Sequence, residues 1–263
     1  MTVSVVMAVF NRLDLTRACV DSLRGATEPF ELCVVDNGSS DGTAEFFGRR
    51  WVSPFPRRYT RNADNVGLIR ALNQGAALAG GDVLCFLHND TEMREARWLS
   101  RLRAALEEPG VGLAGLYGAR RLRRDGRYAG RTLVHCLEGS GNLRADTLEV
   151  AAVDGVCLAL TRVLFEAVGG FDEGYGFFHG YDRDLSFAVR ETGYRNVVVN
   201  APFVHHGGGT RTGEGAPVRA PEDLAQRRAA LARFAAKWRR RLPADVRTWR
   251  ERIADRVGRQ PRG

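Results

Sequence analysis

Three acidic side chains stand at the ends of predicted elements, where they could carry out chemistry on a bound ligand. Asp36 follows the apolar run Glu31–Val35, Asp90 follows Asp82–Leu87, and Asp182 begins a predicted helix. Carboxylates in such positions can accept hydrogen bonds from a ribose, bind a divalent cation, or remove a proton from a hydroxyl group. Three separated acidic positions can therefore supply three different roles in one site.

The elements that position these residues alternate along the first hundred residues. The apolar runs Val3–Phe10, Glu31–Val35 and Asp82–Leu87 predict buried strands. Two segments that lie between these strands, Leu15–Gly25 and Leu68–Ala79, have apolar residues at helical spacing and predict helices. Continuous apolar strands need cover on both faces, so the pattern predicts an α/β fold with a mostly parallel central sheet flanked by helices. Ligands bind beyond the carboxyl ends of strands in such sheets.

The second half of the chain continues with shorter elements. Val153–Leu160 and Arg195–Val199 predict strands, and Asp182–Thr192 predicts a helix. Gly110–Gly115 has the letters of a dinucleotide fingerprint, but a helix precedes it, so we interpret it as a strand of small residues. Arg120–Arg131 contains six arginines and predicts an exposed loop or hairpin.

Composition places the chain among globular proteins. It has 263 residues, of which 44% are hydrophobic and 27% charged, and this composition argues against a disordered or fibrous chain. No apolar run reaches the roughly 18 residues needed to cross a bilayer, and Val3–Phe10 lacks the basic leader of a signal peptide. Five scattered cysteines without a C-x-x-C pair predict reduced core thiols. We therefore expect a cytoplasmic protein.

The positive charge is concentrated near the end of the chain. Residues 219–263 carry 14 Arg and Lys against 5 acids, and the whole chain has a net charge of +8. This asymmetry indicates an anionic partner, either a membrane face or nucleic acid. The alternative is that these charges form the solvated face of a helix. Helical spacing of the apolar residues in this tail fits membrane contact, core packing or a dimer contact: Leu224, Leu231, Phe234 and Trp238.

Six stretches, taken in order, resemble a family 2 glycosyltransferase of the GT-A fold. The resemblance covers roughly residues 2–209 and rests on Val3–Asn11, Val34–Thr43, Asn65–Asn73, Phe86–Asp90, Val168–Glu173 and Gly180–Leu185. It implies a GT-A (Rossmann-like) fold with a C-terminal helical extension. It also implies an inverting enzyme that moves a sugar from a UDP or dTDP donor to a hydroxyl acceptor in glycan, glycolipid or glycoprotein assembly.

The same resemblance divides the chain and assigns its donor site. Residues 1–115 would form the nucleotide-sugar-binding half, 116–210 the acceptor-binding half, and 211–263 a linker and basic helical tail. The implied donor-binding residues are Ala8, Phe10, Asp36, Asn37, Asn65, Gly67, Arg70, Asn89 and Asp154. For Asp36, a purely structural role in an Asx turn or a helix cap is the alternative.

A metal site is implied at the end of the strand Asp82–Leu87. The family's usual Asp-x-Asp pattern stands here as His88-Asn-Asp90, so the first acid is missing. Asp90 is the predicted ligand of Mg²⁺ or Mn²⁺, and His205 is preferred over His206 as the late histidine of the metal shell. His88 is a further candidate ligand.

The resemblance implies that Asp182 is the general base. The residue before it is usually another acid, and here it is Tyr181. The positive end of the helix would favour an ionised carboxylate at this position. Asp184 should face another direction and cap the helix or pair with Arg183 or Arg190.

Two other classes of protein remain open at this level. A sugar-phosphate nucleotidyltransferase has a similar sheet, but its glycine-rich opening loop has no counterpart at Phe10–Leu13. The missing metal acid could instead mark an inactive nucleotide-sugar or nucleic-acid binding protein. We expect the enzyme, with no nucleic acid as partner and with peripheral contact of the basic tail on the inner membrane face.

Overall fold

A computed structural model describes residues 1–48, 53–207 and 220–257 of the chain. Its α-helices are α1 (Leu13–Ser22), α2 (Thr43–Phe47), α3 (Leu68–Leu78), α4 (Trp98–Glu107), α5 (Arg162–Ala167), α6 (Tyr181–Glu191), α7 (Ala220–Lys237) and α8 (Trp249–Val257). Its strands are β1 (Val3–Val9), β2 (Phe30–Asp36), β3 (Arg57–Arg61), β4 (Val83–Leu87), β5 (Thr91–Met93), β6 (Val111–Gly115), β7 (Tyr117–Ala119), β8 (Arg121–Leu122), β9 (Leu133–His135), β10 (Thr147–Val150), β11 (Ala152–Val153), β12 (Cys157–Thr161), β13 (Arg195–Val199), β14 (Phe203–His205) and β15 (Ala244–Asp245).

The central sheet has eight strands in the order β10-β13-β6-β12-β4-β1-β2-β3. The strands β4, β1, β2 and β3 run parallel, as do β13 and β6. β12 runs antiparallel to both β4 and β6, and β10 runs antiparallel to β13. The predicted α/β fold is therefore confirmed, with the antiparallel strands confined to the second half of the chain.

Close helix packing covers the parallel part of the sheet. Every residue of β4 is buried, and so is every residue of β6, which agrees with the interpretation of Gly110–Gly115 as a strand. Helix α3 lies so close to β1 that a Cβ built at Gly75 would stand 2.4 Å from Val6 Cγ1. A side chain at this position would push the helix off the sheet.

The predicted strand Val153–Leu160 is wrong as a single element. The chain forms β11, turns at residues 154–156, and then forms β12 in a different sheet. The Asp154 carboxylate accepts a hydrogen bond from the backbone N–H of Val156 at 3.2 Å. A Cβ at Gly155 would lie 2.2 Å from the Tyr181 hydroxyl, so only glycine fits there. This break brings Asp154 to the carboxyl end of the sheet.

The arginine-rich segment 120–131 forms a hairpin that is less exposed than predicted. Leu122 bridges to Tyr128 and is fully buried. Gly126 lies against the ring of Phe234, where a Cβ would stand 2.6 Å from the ring. The hairpin also pairs with the C-terminal segment, because β8 runs antiparallel to β15.

Helix α7 packs on the body of the protein through the apolar stripe that the sequence suggested. Phe234 is fully buried, and its ring centre is 5.0 Å from that of Phe187 on α6. Trp238 packs on the same ring at 5.5 Å, whereas Leu224 is 48% exposed. Core packing thus accounts for the C-terminal part of the stripe, Phe234 and Trp238. The predicted linker leading into this helix falls largely on residues 208–219, outside the described residues. None of the described helices has the length and apolarity needed to span a bilayer.

Candidate active site

A cavity of about 300 Å³ opens beyond the carboxyl ends of β1 and β4, next to the first turn of α6. Asp90 and Asp182, which are far apart in the sequence, both line it. The other predicted site residues in its wall are Ala8, Phe10, Asn37, Asn65, His88, Asn89, Asp154 and His205.

One end of the cavity holds a cluster of possible metal ligands. One ligand atom from each of His88, Asp90 and His205 lies within 4.8 Å of the other two. His88 and Asp90 follow β4 directly, and antiparallel pairing of β14 with β5 sets His205 opposite Thr91. His205 Nε2 lies 3.2 Å from Asp90 Oδ1. Two imidazole nitrogens and a carboxylate oxygen at these separations can hold a divalent cation.

The histidines also favour the ionised form of the carboxylate between them. Burial raises the pKa of Asp90, but the hydrogen bond from His205 and the positive charges of His88 and His205 outweigh burial and lower it to about 2. Asp90 is therefore a carboxylate at neutral pH, which is the form that binds a cation.

Tyr181 supports this end of the site from helix α6. Its hydroxyl lies 3.0 Å from His88 Nε2, and the side chain is buried. Because Nε2 of His88 faces the phenol, Nδ1 is the ring nitrogen that faces Asp90, at 4.0 Å. The tyrosine in the place of the usual acid thus orients one histidine of this cluster of possible metal ligands.

The other end of the cavity is built around Asp182 at the start of α6. Its Oδ1 accepts the backbone N–H of Arg183 at 2.8 Å, and its Oδ2 accepts the backbone N–H of Gly155 at 3.3 Å. The guanidinium of Arg183 lies 3.6 Å from Oδ1 and stacks 4.1 Å from the ring centre of Tyr128. These contacts fix the direction in which the carboxylate points.

A second carboxylate, Asp154, shares this end of the cavity. Burial and, after it, the negative charge of Asp182 together raise its pKa to about 6, against the opposing effect of Arg183. Two acids crowd one wall here, and one arginine lies close to both.

Asp184 faces away from the cavity, as predicted, but its partners are not the predicted ones. It accepts hydrogen bonds from Tyr175 Oη at 2.9 Å, from Trp238 Nε1 at 2.7 Å and from Lys237 Nζ at 2.8 Å. Arg190 pairs with Glu149 instead. The partners of Asp184 come from α7 rather than from its own helix, because α7 packs directly against α6.

On the predicted donor side, amides bond to one another and to backbone groups. Asn37 Nδ2 donates to Asn65 Oδ1 at 2.7 Å, and Asn65 Oδ1 also accepts the backbone N–H of Gly67. Asn89 Nδ2 donates to Thr16 Oγ1 at 2.9 Å. This network holds the loops after β2 and β3 together beside Ala8.

Four predicted residues lie outside the cavity wall. Asp36 is fully buried and accepts hydrogen bonds from Ser39 N at 2.8 Å and Tyr59 Oη at 2.9 Å, which is the structural alternative of a turn. Arg70 pairs with Glu173 at 3.2 Å. His206 faces Glu92, at 2.6 Å, rather than Asp90. Gly67 has φ +91° and packs under Phe177.

Residues outside the predicted set of site residues also line the wall. His179 and Gly180 belong to the loop before α6, and Arg227 comes from α7. The glycine-rich, aromatic sequence Phe171–His179 was a visible signal for His179, and Gly180 opens the stretch Gly180–Leu185 that carries part of the resemblance. Arg227 lacked any local signal, because only the packing of α7 brings it to the cavity.

Residues 4–169 match the family model described as glycosyl transferase family 2. The chain belongs to this family. Among curated relatives it is similar to an uncharacterized protein, y4gI, of Sinorhizobium fredii, with 32% identity over 82% of this chain and 25% of the relative. It is also similar to the O-antigen biosynthesis protein RfbC of Myxococcus xanthus, with 29% identity over 82% of this chain and 18% of the relative. The chain thus spans a quarter or less of these two relatives.

Several solved structures share the fold of this chain. GalNAc-T7 with UDP, GalNAc and Mn²⁺ aligns with a TM-score of 0.63 and 20% identity, covering 78% of this chain and 44% of that one. Residues 1–349 of S. aureus TarS with UDP-GlcNAc align with a TM-score of 0.62 and 17% identity, covering 94% and 68%. The mannosyltransferase PcManGT of Pyrobaculum calidifontis, with GDP-Man and Mn²⁺, aligns with a TM-score of 0.58 and 16% identity, covering 97% and 79%. These likenesses establish a GT-A fold.

Proposed function

We propose that this glycosyltransferase moves a sugar from a nucleoside diphosphate to a hydroxyl group of a glycan, lipid-linked or protein acceptor, with inversion at the anomeric carbon. The observation that carries the proposal is that Asp90 and Asp182 line the same cavity. Glycosyl transfer needs a group that stabilises the leaving diphosphate and a group that removes a proton from the acceptor.

His88, Asp90 and His205 would hold the cation, which we propose to be Mn²⁺ or Mg²⁺. Two imidazoles in the set favour Mn²⁺, because Mg²⁺ is usually bound through oxygen alone. When bound, the cation supplies positive charge that neutralises the departing diphosphate. The residues themselves contribute an ionised Asp90 and a His88 ring oriented by Tyr181.

Asp182 would take the proton from the attacking acceptor hydroxyl. Backbone N–H groups of Arg183 and Gly155 hold its two oxygens, so the carboxylate is oriented before the acceptor arrives. Asp154, beside it, would accept hydrogen bonds from sugar hydroxyls. A single displacement, with the acceptor attacking on the face opposite the leaving group, inverts the anomeric configuration.

The donor would lie between the metal end and the amide network of Asn37 and Asn65. We favour UDP or dTDP as its nucleotide. In this proposal Ala8, Phe10 and Asn89 contact the donor, and Asp36 and Gly67 shape the loops around it. Arg70 would need to leave Glu173 to reach it. Two of the similar structures contain uridine nucleotides and one contains GDP-Man. A test of the donor should therefore include GDP-sugars beside UDP- and dTDP-sugars.

We also propose the division of labour that the resemblance implied. Residues 1–115 would bind the nucleotide sugar and residues 116–210 the acceptor. The basic tail, 211–263, would add a wall to the acceptor side through α7. Exposed arginines of the same tail, among them Arg239 and Arg240, would favour contact with an anionic membrane face that carries lipid-linked acceptors.

The proposal is tested by measuring the thermal stability of the protein with UDP-, dTDP- and GDP-sugars, each with Mn²⁺, with Mg²⁺ and with a chelator. At least one nucleotide-sugar should raise the melting temperature only when a metal is present. Asp90→Ala should abolish this shift. Asp82→Ala, at the opposite end of β4, is the matched control and should keep it. A wild-type protein that responds to no nucleotide-sugar would contradict the proposal.

A further inference from the structure

Arg227 reaches the cavity from a helix that the family match does not include. The match ends at residue 169, whereas Arg227 lies in the third turn of α7 and lines the cavity together with Asp90 and Asp182. The residue is exposed to solvent at the mouth of the cavity. Any contribution of Arg227 to the site therefore comes from a helix that lies outside the family match.

The neighbours of Arg227 on α7 show that its helix face is turned toward the site. Asp223, one turn earlier, is buried, and its Oδ1 lies 2.9 Å from Nε2 of His179, which also lines the cavity. Ala230, three residues later, faces Gly180, where a Cβ would stand 3.4 Å from the alanine methyl. Residues three and four apart share one face of a helix, so this face looks onto the loop before α6.

The backbone that carries Arg227 is fixed relative to Asp182. Phe234 is buried against α6, and Trp238 and Lys237 both donate to Asp184, two residues after Asp182. A cation on such an anchored helix loses less conformational freedom on binding than one on a loose segment. Arg227 is thus positioned beforehand, although its side chain is exposed.

Neighbouring cations on α6 and α7 have carboxylate partners. Arg183 lies 3.6 Å from Asp182, and Arg233 and Lys237 each lie 3.0 Å from Asp172. Within residues 1–48, 53–207 and 220–257, Arg227 makes no hydrogen bond or ion pair. Three carboxylates already line the cavity, so an anionic substrate needs additional positive charge there.

We propose that Arg227 binds a phosphate group at the mouth of the cavity. A guanidinium presents two parallel N–H donors that match two phosphate oxygens, which a surface point charge does not. The phosphate would be either the diphosphate of the donor or a phosphate carried by the acceptor. This inference rests on the proposed function, because it assumes that the cavity binds a nucleoside diphosphate.

The experiment compares Arg227→Gln with Arg228→Gln, the adjacent exposed arginine that does not line the cavity. Calorimetric titrations with Mn²⁺ present use UDP, uridine and inorganic pyrophosphate. If the donor diphosphate is the ligand, Arg227→Gln weakens binding of UDP and pyrophosphate by about tenfold and leaves uridine unchanged, whereas Arg228→Gln matches the wild type. If the acceptor phosphate is the ligand, UDP binding is unchanged, and binding of inorganic phosphate to the UDP-saturated protein is lost only in Arg227→Gln.

Two failures are distinguishable in this design. A wild-type protein that binds neither UDP nor another nucleoside diphosphate would count against the proposed function. Equal affinities of the two variants for pyrophosphate and for phosphate, or no binding of either by the wild type, would overturn the role of Arg227 whatever happens with the nucleotides.

Discussion

The proposed metal end of the cavity and the proposed base end are built in different ways. At the proposed metal end, His88 and Asp90 follow β4 of the central sheet directly, and His205 is set by the short strand pair β14–β5. At the proposed base end, Asp182 depends on a turn at 154–156 and on helix α6, which is itself held by α7. The central sheet therefore places two of the three side chains of the first group, whereas Asp182 depends on segments beyond that sheet. Substitutions at the two ends should therefore have separable effects.

The largest difference is expected from Asp182→Asn. The amide keeps the shape of the carboxylate but does not take up a proton, so the rate of sugar transfer should fall by roughly 10²- to 10⁴-fold. Affinity for UDP with Mn²⁺ should stay within about twofold, because the metal end is unchanged. Steady-state kinetics and calorimetry on the same preparation make the comparison. A variant with the wild-type rate would remove Asp182 from the mechanism.

The anchoring of α7 on α6, next to the proposed base end, is tested by Phe234→Ala. Removing this fully buried ring should lower the free energy of unfolding by about 3–5 kcal/mol in urea titrations. Leu224→Ala, on the same helix but 48% exposed, is the control and should change it by about 0.5 kcal/mol or less. Similar losses in both variants would show that α7 is not anchored through Phe234.

The metal end is probed with two adjacent histidines. His205→Ala should weaken Mn²⁺ binding by about 10- to 100-fold, because it removes a group next to Asp90. His206→Ala changes a neighbour that faces Glu92 and should leave Mn²⁺ affinity unchanged. Titration of Mn²⁺ monitored by electron paramagnetic resonance measures both. The reverse order of effects would exchange the two assignments.

The smallest effect concerns the crowded carboxylates. Burial and Asp182 raise the pKa of Asp154 to about 6, so its ionised form destabilises the folded state above its unfolded pKa of about 4. This destabilisation is nearly absent at pH 4 and complete above pH 6. Asp154→Asn should therefore raise the melting temperature at pH 8 and change it little at pH 4. An equal change at both pH values would argue against a raised pKa.

The sequence predicted the parallel part of the molecule well because its signal is local. Apolar runs located β1, β2, β4 and β13 to within about two residues, and two of the polar residues predicted after β4, His88 and Asp90, lie together with His205 in the cluster of possible ligands. Periodicity could not reveal the break between β11 and β12. Asp154 and Gly155 interrupt that run because of contacts with Val156 and Tyr181, and the second is a long-range contact.

Long-range packing also explains the other gaps in prediction. Asp184 was expected to bond within its own helix, but Lys237 and Trp238 reach it from more than fifty residues away in the sequence. Arg227 enters the cavity for the same reason. Two of the predicted donor residues, Asp36 and Arg70, have partners that satisfy them elsewhere, which a pattern of residue types does not show.

All five cysteines of the chain are buried, two of them with Sγ atoms 3.9 Å apart in neighbouring strands. Burial raises the pKa of Cys19 and Cys33 well above the usual thiol range, so the reactive thiolate is scarce in the folded state. An alkylating reagent should therefore modify a cysteine only after the protein unfolds around it. Mass spectrometry of briefly alkylated samples would then give the fraction of unfolded molecules directly. It would separate variants that lose activity because they unfold from variants that stay folded but are inactive.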